Sequence, residues 1–242
     1  SLNKRSMEKL INLLSKFGAT FLPKNKYTFP LKMISSEMPV GIKYKAGVSA
    51  QLKSAVLLAG LNSYGNTIIE EQIISRDHTE NLLMKNIQSI KITKNKKKII
   101  KVKGKSYLNP LNLNIGGDPS SAAFFAALTL LNKNSTLKIK NVGLNPTRTG
   151  FYDILKKQKV KINFKNILKD NNEIRGDILI KSSKLKPMNV PASLYPRTTD
   201  EYLILFVIAS LTNGVSTFKG ISELKGKESS RAHEMKKILN QI

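Results

Sequence analysis

Three helix patterns, apolar almost all the way round, recur along this 242-residue chain and constrain its fold more than any other feature. They run SAQLKSAVLLAGL from Ser49, SSAAFFAALTLL from Ser120 and DEYLILFVIASL from Asp200. A helix with a single apolar stripe lies on a surface, whereas one that is apolar on every side is expected to be buried centrally. Each of the three has the same sequel. An Asn-bearing turn (LNSYGNT, LNKNST, LTNGVST) leads into a β-branched strand at Thr67, Thr136 or Thr217. A loop then delivers an arginine that opens a second helix, this one amphipathic. Alternating, strand-like segments begin at Leu31, Gly41, Lys98, Lys159, Asp177 and Met188. The unit therefore reads helix–strand–helix–strand–strand, a mixed α/β module with helices inward and sheets outward, repeated at a fairly regular period. The helix after Arg5 fits the tail of an earlier copy. The Asn- and Gly-rich stretch 112–117 is the expected boundary, giving domains 1–115 and 116–242.

Arginine usage points to ligand chemistry. Lysine dominates the 41 basic residues, and the arginines are Arg5, Arg76, Arg148, Arg175, Arg197 and Arg231. Arg5, Arg76, Arg148 and Arg231 each precede or open an amphipathic helical pattern. A helix N-terminus presents unpaired N–H groups and the positive end of its dipole, which suits an anion. Arginine adds a planar fork that matches phosphate or carboxylate bidentately, which lysine cannot copy. The competing reading of each is a helix-start arginine paired with a nearby acid.

Composition narrows the classes. A net charge of +25 admits nucleic acid, an anionic membrane or small polyanions. The lysines are spread along the chain, and only Asn95-Lys-Lys-Lys98 forms a tight run, expected as a turn between strands. Aromatics make up 7% and Trp is absent, which argues against a dedicated nucleic-acid binder. With no cysteine there is no disulfide, thiolate zinc site or cysteine nucleophile, and His78 and His233 are too few for a histidine metal cluster. No apolar run is long enough to span a membrane.

Four segments carry more than architecture. Ser49, Ala50 and Gln51 start a helix with small or amide residues able to donate to an anion. Ser75 and Arg76 stand at a helix entry beside Asp77. The run Asn145-Pro-Thr-Arg-Thr-Gly has a turn signature. In the run Glu223-LKGKESSR, Lys227 and Arg231 share a helical face on which two cations converge, beside Glu228.

Taken in this order, SAQLKSA, SRDHTE, GDPSSAAFF, NPTRTG, TDEYLIL and KESSR closely resemble the 5-enolpyruvylshikimate-3-phosphate synthase family, and the resemblance covers essentially the whole chain. It implies a two-domain enolpyruvyl transferase fold of βαβαββ units, an inside-out α/β barrel, here partial. It implies transfer of the enolpyruvyl group of phosphoenolpyruvate to the 5-hydroxyl of shikimate 3-phosphate, with release of phosphate. It implies no metal or organic cofactor, no nucleic-acid or membrane partner, a cytoplasmic location, and a monomer when complete.

By the same resemblance, Ser49, Ala50, Gln51, Ser75, Arg76, Asp200 and Lys227 match shikimate 3-phosphate contacts. Arg5, Gln51 and Arg231 match phosphoenolpyruvate contacts. Asp200 matches the base at the 5-hydroxyl, and Glu228 the acidic proton-transfer residue. Arg148 carries no substrate role over. Family stretches before and after the present sequence, with further phosphate-binding residues, are missing from it. The chain is therefore expected to be incomplete and, alone, inactive. Ser230, where the family usually has Asp, alters the support of Arg231. The alternatives are the UDP-N-acetylglucosamine enolpyruvyl transferase, an inactive fragment that only binds shikimate 3-phosphate, and a basic RNA-binding or RNA-end-processing protein. The first normally uses a loop cysteine, which this chain lacks.

Overall fold

A computed structural model describes residues 2–86, 89–226 and 231–241. The chain divides into two compact units, Ser1–Asn112 and Leu113–Ile242. The first holds α1 (Glu8–Ser15), β1 (Thr20–Leu22), β2 (Lys32–Ile34), β3 (Lys43–Ala46), α2 (Ala50–Asn62), β4 (Asn66–Glu71), α3 (His78–Asn86), β5 (Ile90–Lys94) and β6 (Lys98–Lys103). The second holds α4 (Pro119–Leu131), β7 (Thr136–Gly143), α5 (Gly150–Lys157), β8 (Ile162–Asp170), β9 (Glu173–Lys181), β10 (Asn189–Val190), α6 (Tyr195–Thr198), α7 (Tyr202–Ser210), β11 (Thr217–Phe218) and α8 (Arg231–Leu239).

The order β3-α2-β4-α3-β5-β6 is a complete βαβαββ module. Its sheet runs β3-β4-β6-β5, with β3 and β4 parallel and the other pairings antiparallel. The next module repeats the plan. The parallel bridge Gly117↔Val142 stands in for its first strand, and its sheet runs β7-β9-β8. A third module begins with the parallel pair β10–β11. Right-handed crossover helices join such parallel strands, so the loops leaving the two strand ends come out on one edge.

The alternation in β6 shows why this sheet has an inner and an outer face. Lys98, Ile100 and Val102 turn inward, whereas Ile99, Lys101 and Lys103 face out. On the inner side lie Val56, Leu57 and Leu61 of α2 with Ile69, Leu83 and Ile90. The second unit's core is larger and more aromatic. Phe151 and Tyr152 of α5 meet edge-to-face at 5.2 Å, and Tyr202 of α7 lies 5.6 Å from Tyr195. Offset and edge-on ring contacts add roughly 0.5–1.5 kcal/mol each beyond area burial.

Two expectations need correction. The all-round apolar helices are not all buried centrally: α7 is covered nearly all round, but α4, and to a lesser degree α2 at Leu58, is covered on one side among the described residues. In α4, Ala122, Ala123, Ala126 and Leu130 pack towards β7, β9 and α7, but Phe124, Phe125 and Leu128 are 65%, 59% and 59% exposed. Each sheet is one layer and covers one face of its helix. The lysine run is the second. Asn95, Lys96 and Lys97 form the turn and a strand starts at Lys98, as its alternating pattern implies, but the side chain of Lys98 points inward and does not belong to the turn. Strand alternation puts it on the face of Ile100, and acidic partners receive it there.

Candidate functional site

Ser49, Ala50, Gln51, Ser75 and Arg76 lie on the segments that leave the parallel pair β3–β4. In the first unit Ala46 pairs with Glu71, and both strands stop there. The chain leaving β3 reaches Ser49, Ala50 and Gln51. The chain leaving β4 reaches Ser75 and Arg76. Ser49 is the N-cap of α2, its hydroxyl accepting from the Leu52 N–H at 3.4 Å. Gln51 is exposed and Ala50 half-buried. Ser54 Oγ lies 2.7 Å from Thr79 Oγ1, tying the first turns of α2 and α3 together. Arg5 is half-buried in the bend ahead of α1, whose entry is fixed by the Met7 N–H donating to Tyr27 O at 2.7 Å.

Below these loops lies a group of charges that sequence reasoning missed. Lys53 of α2 is fully buried, and its Nζ stands 2.8 Å from Glu71 Oε1 and 2.7 Å from Glu80 Oε1. Lys98 Nζ stands 3.1 Å from both Glu71 Oε2 and Glu80 Oε1. Glu71 Oε1 also accepts from the Ser75 N–H at 2.9 Å and the Ser75 hydroxyl at 2.7 Å. Burial alone would raise the Glu71 carboxyl, but Lys53 and Ser75 outweigh it and hold it below the ordinary carboxylate range. For Lys98, burial pulls the ammonium down, while Glu80 and Glu71 reverse that and raise it. A signal was available. One lysine inside an otherwise apolar helix cannot be buried without an acid partner.

In the second unit, Asp200 lies in the turn before α7 and Arg231 is the first residue of α8. The structure brings them together, with Arg231 Nη1 donating to Asp200 Oδ1 at 3.4 Å, both partly exposed. Lys227 and Glu228 lie outside the described residues. The adjacent module shows the corresponding arrangement with another outcome. Arg148 Nη2 donates to Asp118 Oδ1 at 2.8 Å and to Ser120 Oγ at 2.7 Å. Asp118 in turn caps α4 through the Ser120 and Ser121 N–H groups, and Ser120 Oγ donates to Glu201. Those N–H groups and Arg148 hold the Asp118 carboxyl down against the burial that would raise it. Arg148 therefore ties the NPTRTG loop to the start of α4.

Arg197 serves the same loop from α6. It donates to Pro146 O at 2.7 Å and to Asp153 Oδ2 at 2.5 Å. Gly150 is required at this contact, because a Cβ there would stand 2.1 Å from Thr198 Oγ1 and 2.8 Å from Arg197 O. The helix ahead of Asp200 is thereby held against α5. Arg175 Nη1 donates to Asn141 Oδ1 at 2.8 Å, within the β7–β9 ladder. So Arg148, Arg175 and Arg197 serve the fold. Among the described residues, no group of three or more His, Cys, Asp or Glu side chains could hold a metal ion, and no helix is long and apolar enough to cross a membrane.

Comparison with known proteins adds a family. Residues 1–242 match the family described as EPSP synthase (3-phosphoshikimate 1-carboxyvinyltransferase). The 3-phosphoshikimate 1-carboxyvinyltransferase of Zymomonas mobilis is 39% identical over 96% of the chain and 51% of its own length. That of Thermodesulfovibrio yellowstonii is 40% identical over 100% of the chain and 56% of its own. The chain thus spans about half the length of the curated relatives it matches. An EPSP synthase structure from Acinetobacter baumannii superposes with a TM-score of 0.80 at 35% identity, covering 98% of this chain and 53% of that one. The enolpyruvyl transferase NikO from Streptomyces tendae shares the fold at a TM-score of 0.65 and 13% identity, covering 86% of this chain and 49% of its own.

Proposed function

This chain belongs to the EPSP synthase family, and from that premise we propose that it provides part of an enzyme transferring the enolpyruvyl group of phosphoenolpyruvate to the 5-hydroxyl of shikimate 3-phosphate. The observation that most supports the reading is the 3.4 Å pairing of Asp200 with Arg231, residues 31 positions apart at two helix entries of one unit. A carboxylate beside a guanidinium offers a proton acceptor for a hydroxyl and a bidentate grip for an anionic co-substrate in adjacent places.

Under this reading the two compact units are parts of the first and second enolpyruvyl transferase domains. Ser49, Ala50, Gln51, Ser75 and Arg76 serve shikimate 3-phosphate, with Lys227 completing that set. Arg5, Gln51 and Arg231 serve phosphoenolpyruvate. Asp200 takes the proton of the 5-hydroxyl, and Glu228 moves the proton of the methylene carbon. Protonation of that carbon makes the neighbouring carbon electrophilic, and the hydroxyl oxygen attacks it. Loss of phosphate and of a methyl proton restores the enol ether. Charge developing on carboxylate and phosphate is met by preoriented cations, commonly the dominant catalytic term. Small-molecule substrates, a cytoplasmic location and a monomeric state complete the proposal.

The test is phosphate release by protein of the relatives' full length, given each substrate alone and both together. Release that needs both is expected. Release from phosphoenolpyruvate with UDP-N-acetylglucosamine but not with shikimate 3-phosphate would transfer the reading to the sister enzyme.

A further inference from the structure

The buried charges of the first unit have no part in the proposed chemistry, yet one of them bonds Ser75, the residue before Arg76. Lys53, Glu71 and Glu80 are at most 1% exposed and Lys98 is 6% exposed. A buried ion group is poor value as pure stabilisation, because apolar residues of similar volume often serve as well or better. Its best-attested use is to specify one arrangement. Here the arrangement is visible. Glu71 is the last residue of β4, and Gln72, Ile73 and Ile74 after it are exposed, the two isoleucines at 53% each. The loop returns to the interior only at Ser75, 1% exposed. Glu71 Oε1 receives both the N–H and the hydroxyl of Ser75, and also Lys53 Nζ. A single carboxylate oxygen therefore links the strand end, the α2 helix and the residue before Arg76.

We infer that Glu71, charged and oriented by Lys53, is a positioning residue that fixes the Ser75–Arg76 turn for its anionic ligand. The inference rests on the proposed role of that turn in holding shikimate 3-phosphate. Its physical content is specific. A carboxylate accepting two hydrogen bonds from one residue sets both the position and the rotation of that residue. Lys53 keeps the carboxylate ionised at depth, and it belongs to the helix whose first residues are Ala50 and Gln51. The two ligand-bearing loops of this unit are thus registered against each other through the Lys53–Glu71 contact. Lys98 and Glu80 balance the charge but do not touch Ser75.

That asymmetry gives the test. Lys53→Met/Glu71→Met and Lys98→Met/Glu80→Met each remove one lysine and one glutamate. Each leaves a direct ion pair behind, Lys98–Glu80 at 3.1 Å in the first and Lys53–Glu71 at 2.8 Å in the second. Both are compared with the unsubstituted protein for shikimate 3-phosphate affinity by calorimetry and for amide hydrogen exchange over residues 72–77. The first double is expected to lose at least tenfold in affinity and to exchange at least tenfold faster in that segment. The second is expected to change less than threefold in both, and Glu71→Gln, which keeps an acceptor oxygen, to recover most of the affinity. Equal losses in the two doubles, or none in either, would overturn the inference. If the first double does not fold, Glu71→Ala, which removes the acceptor of Ser75, is compared with Glu80→Ala by the same two readouts: a larger loss in Glu71→Ala is expected, and an equal or smaller one would overturn the inference. If the unsubstituted protein does not bind shikimate 3-phosphate, the functional reading fails, and the exchange data alone decide whether Glu71 fixes the turn.

Discussion

The corner of the first unit that carries Ser49–Gln51 and Ser75–Arg76 is held by fully desolvated ions, whereas the corners of the second unit are held by pairs that solvent reaches. Lys53 and Glu71 have no exposed side-chain surface, while Arg231 and Asp200 retain 26% and 33% and Asp118 retains 49%. The modules share one plan, an arginine entry to the second helix beside the start of the first. They differ in what lies beneath. The second unit buries the aromatic side chains Phe151, Tyr152 and Tyr202, whereas the first buries the charged Lys53, Glu71, Glu80 and Lys98. A repeat fixes where the loops emerge and leaves open how they are anchored. An anchor of buried ions is sensitive to removal of one partner, and an anchor of exposed pairs is not.

The largest expected effect falls on the exposed pair. In protein of the relatives' full length, Asp200→Asn should lower turnover by ~10²–10⁴, the usual effect of losing a positioned base, while shikimate 3-phosphate binding stays within roughly tenfold. Near-normal turnover would remove Asp200 as the base. Next in size is Lys53→Met, expected to cost about 3–5 kcal/mol because it strands two buried carboxylates near one lysine. Arg148→Met, which breaks a pair that solvent already reaches, should cost only about 1 kcal/mol. Urea unfolding of the two variants measures this directly, and equal losses would erase the contrast between the units.

Acid should sharpen the same contrast. The Glu71 carboxyl is depressed in the fold, so its contribution is present above about pH 4.3, the ordinary value for glutamate, and is lost as pH falls through the folded value. Lys98 is raised, so its contribution is present below about pH 10.4 and is lost as pH rises through its folded value. In the second unit the Asn141 N–H, Lys138 and Asn166 hold Asp177 down to about 2, and its contribution is present above about pH 3.9 and is lost as pH falls towards 2. Neutralising Glu71 leaves Lys53 and Lys98 buried beside it, whereas Lys138 beside Asp177 is 45% exposed, so hydrogen exchange on acidification should open the β3-β4-β6-β5 sheet before the β7-β9-β8 sheet. The reverse order would contradict the account. In alkali, burial raises Tyr202 to about 12, so the second unit should weaken as unfolded-state tyrosines ionise above about pH 10. The smallest effect is Ser49→Ala, about 0.5–2 kcal/mol from the lost helix cap, and its 3.4 Å length favours the lower end.

Much of this was legible in the chain. The apolar helices at Ser49, Ser120 and Asp200, the strands after them and the arginine-led helices all stand where hydrophobic periodicity puts them, because those signals are local. What escaped is non-local. Lys53 finds Glu71 across 18 residues and Arg148 finds Asp118 across 30, and nothing in either neighbourhood names its partner. Arg148 shows the cost most plainly. Its place at a helix entry reads like that of Arg76 or Arg231, but an aspartate on the preceding helix takes it. Lys98 failed for a different reason. A run of lysines reads as a solvated turn, and strand alternation turned its last member inward. The exposure of Phe124, Phe125 and Leu128 could not be read either, since an all-apolar helix says how much needs covering but not what covers it.

Calorimetric titration of the chain with shikimate 3-phosphate, repeated with phosphoenolpyruvate present and then with Arg76→Ala, tests the central claim most directly. The account predicts saturable one-to-one binding, tightened by phosphoenolpyruvate and weakened at least tenfold by the substitution. No saturable heat with shikimate 3-phosphate, beside salt-sensitive binding of RNA that Arg76→Ala leaves unchanged, would contradict it.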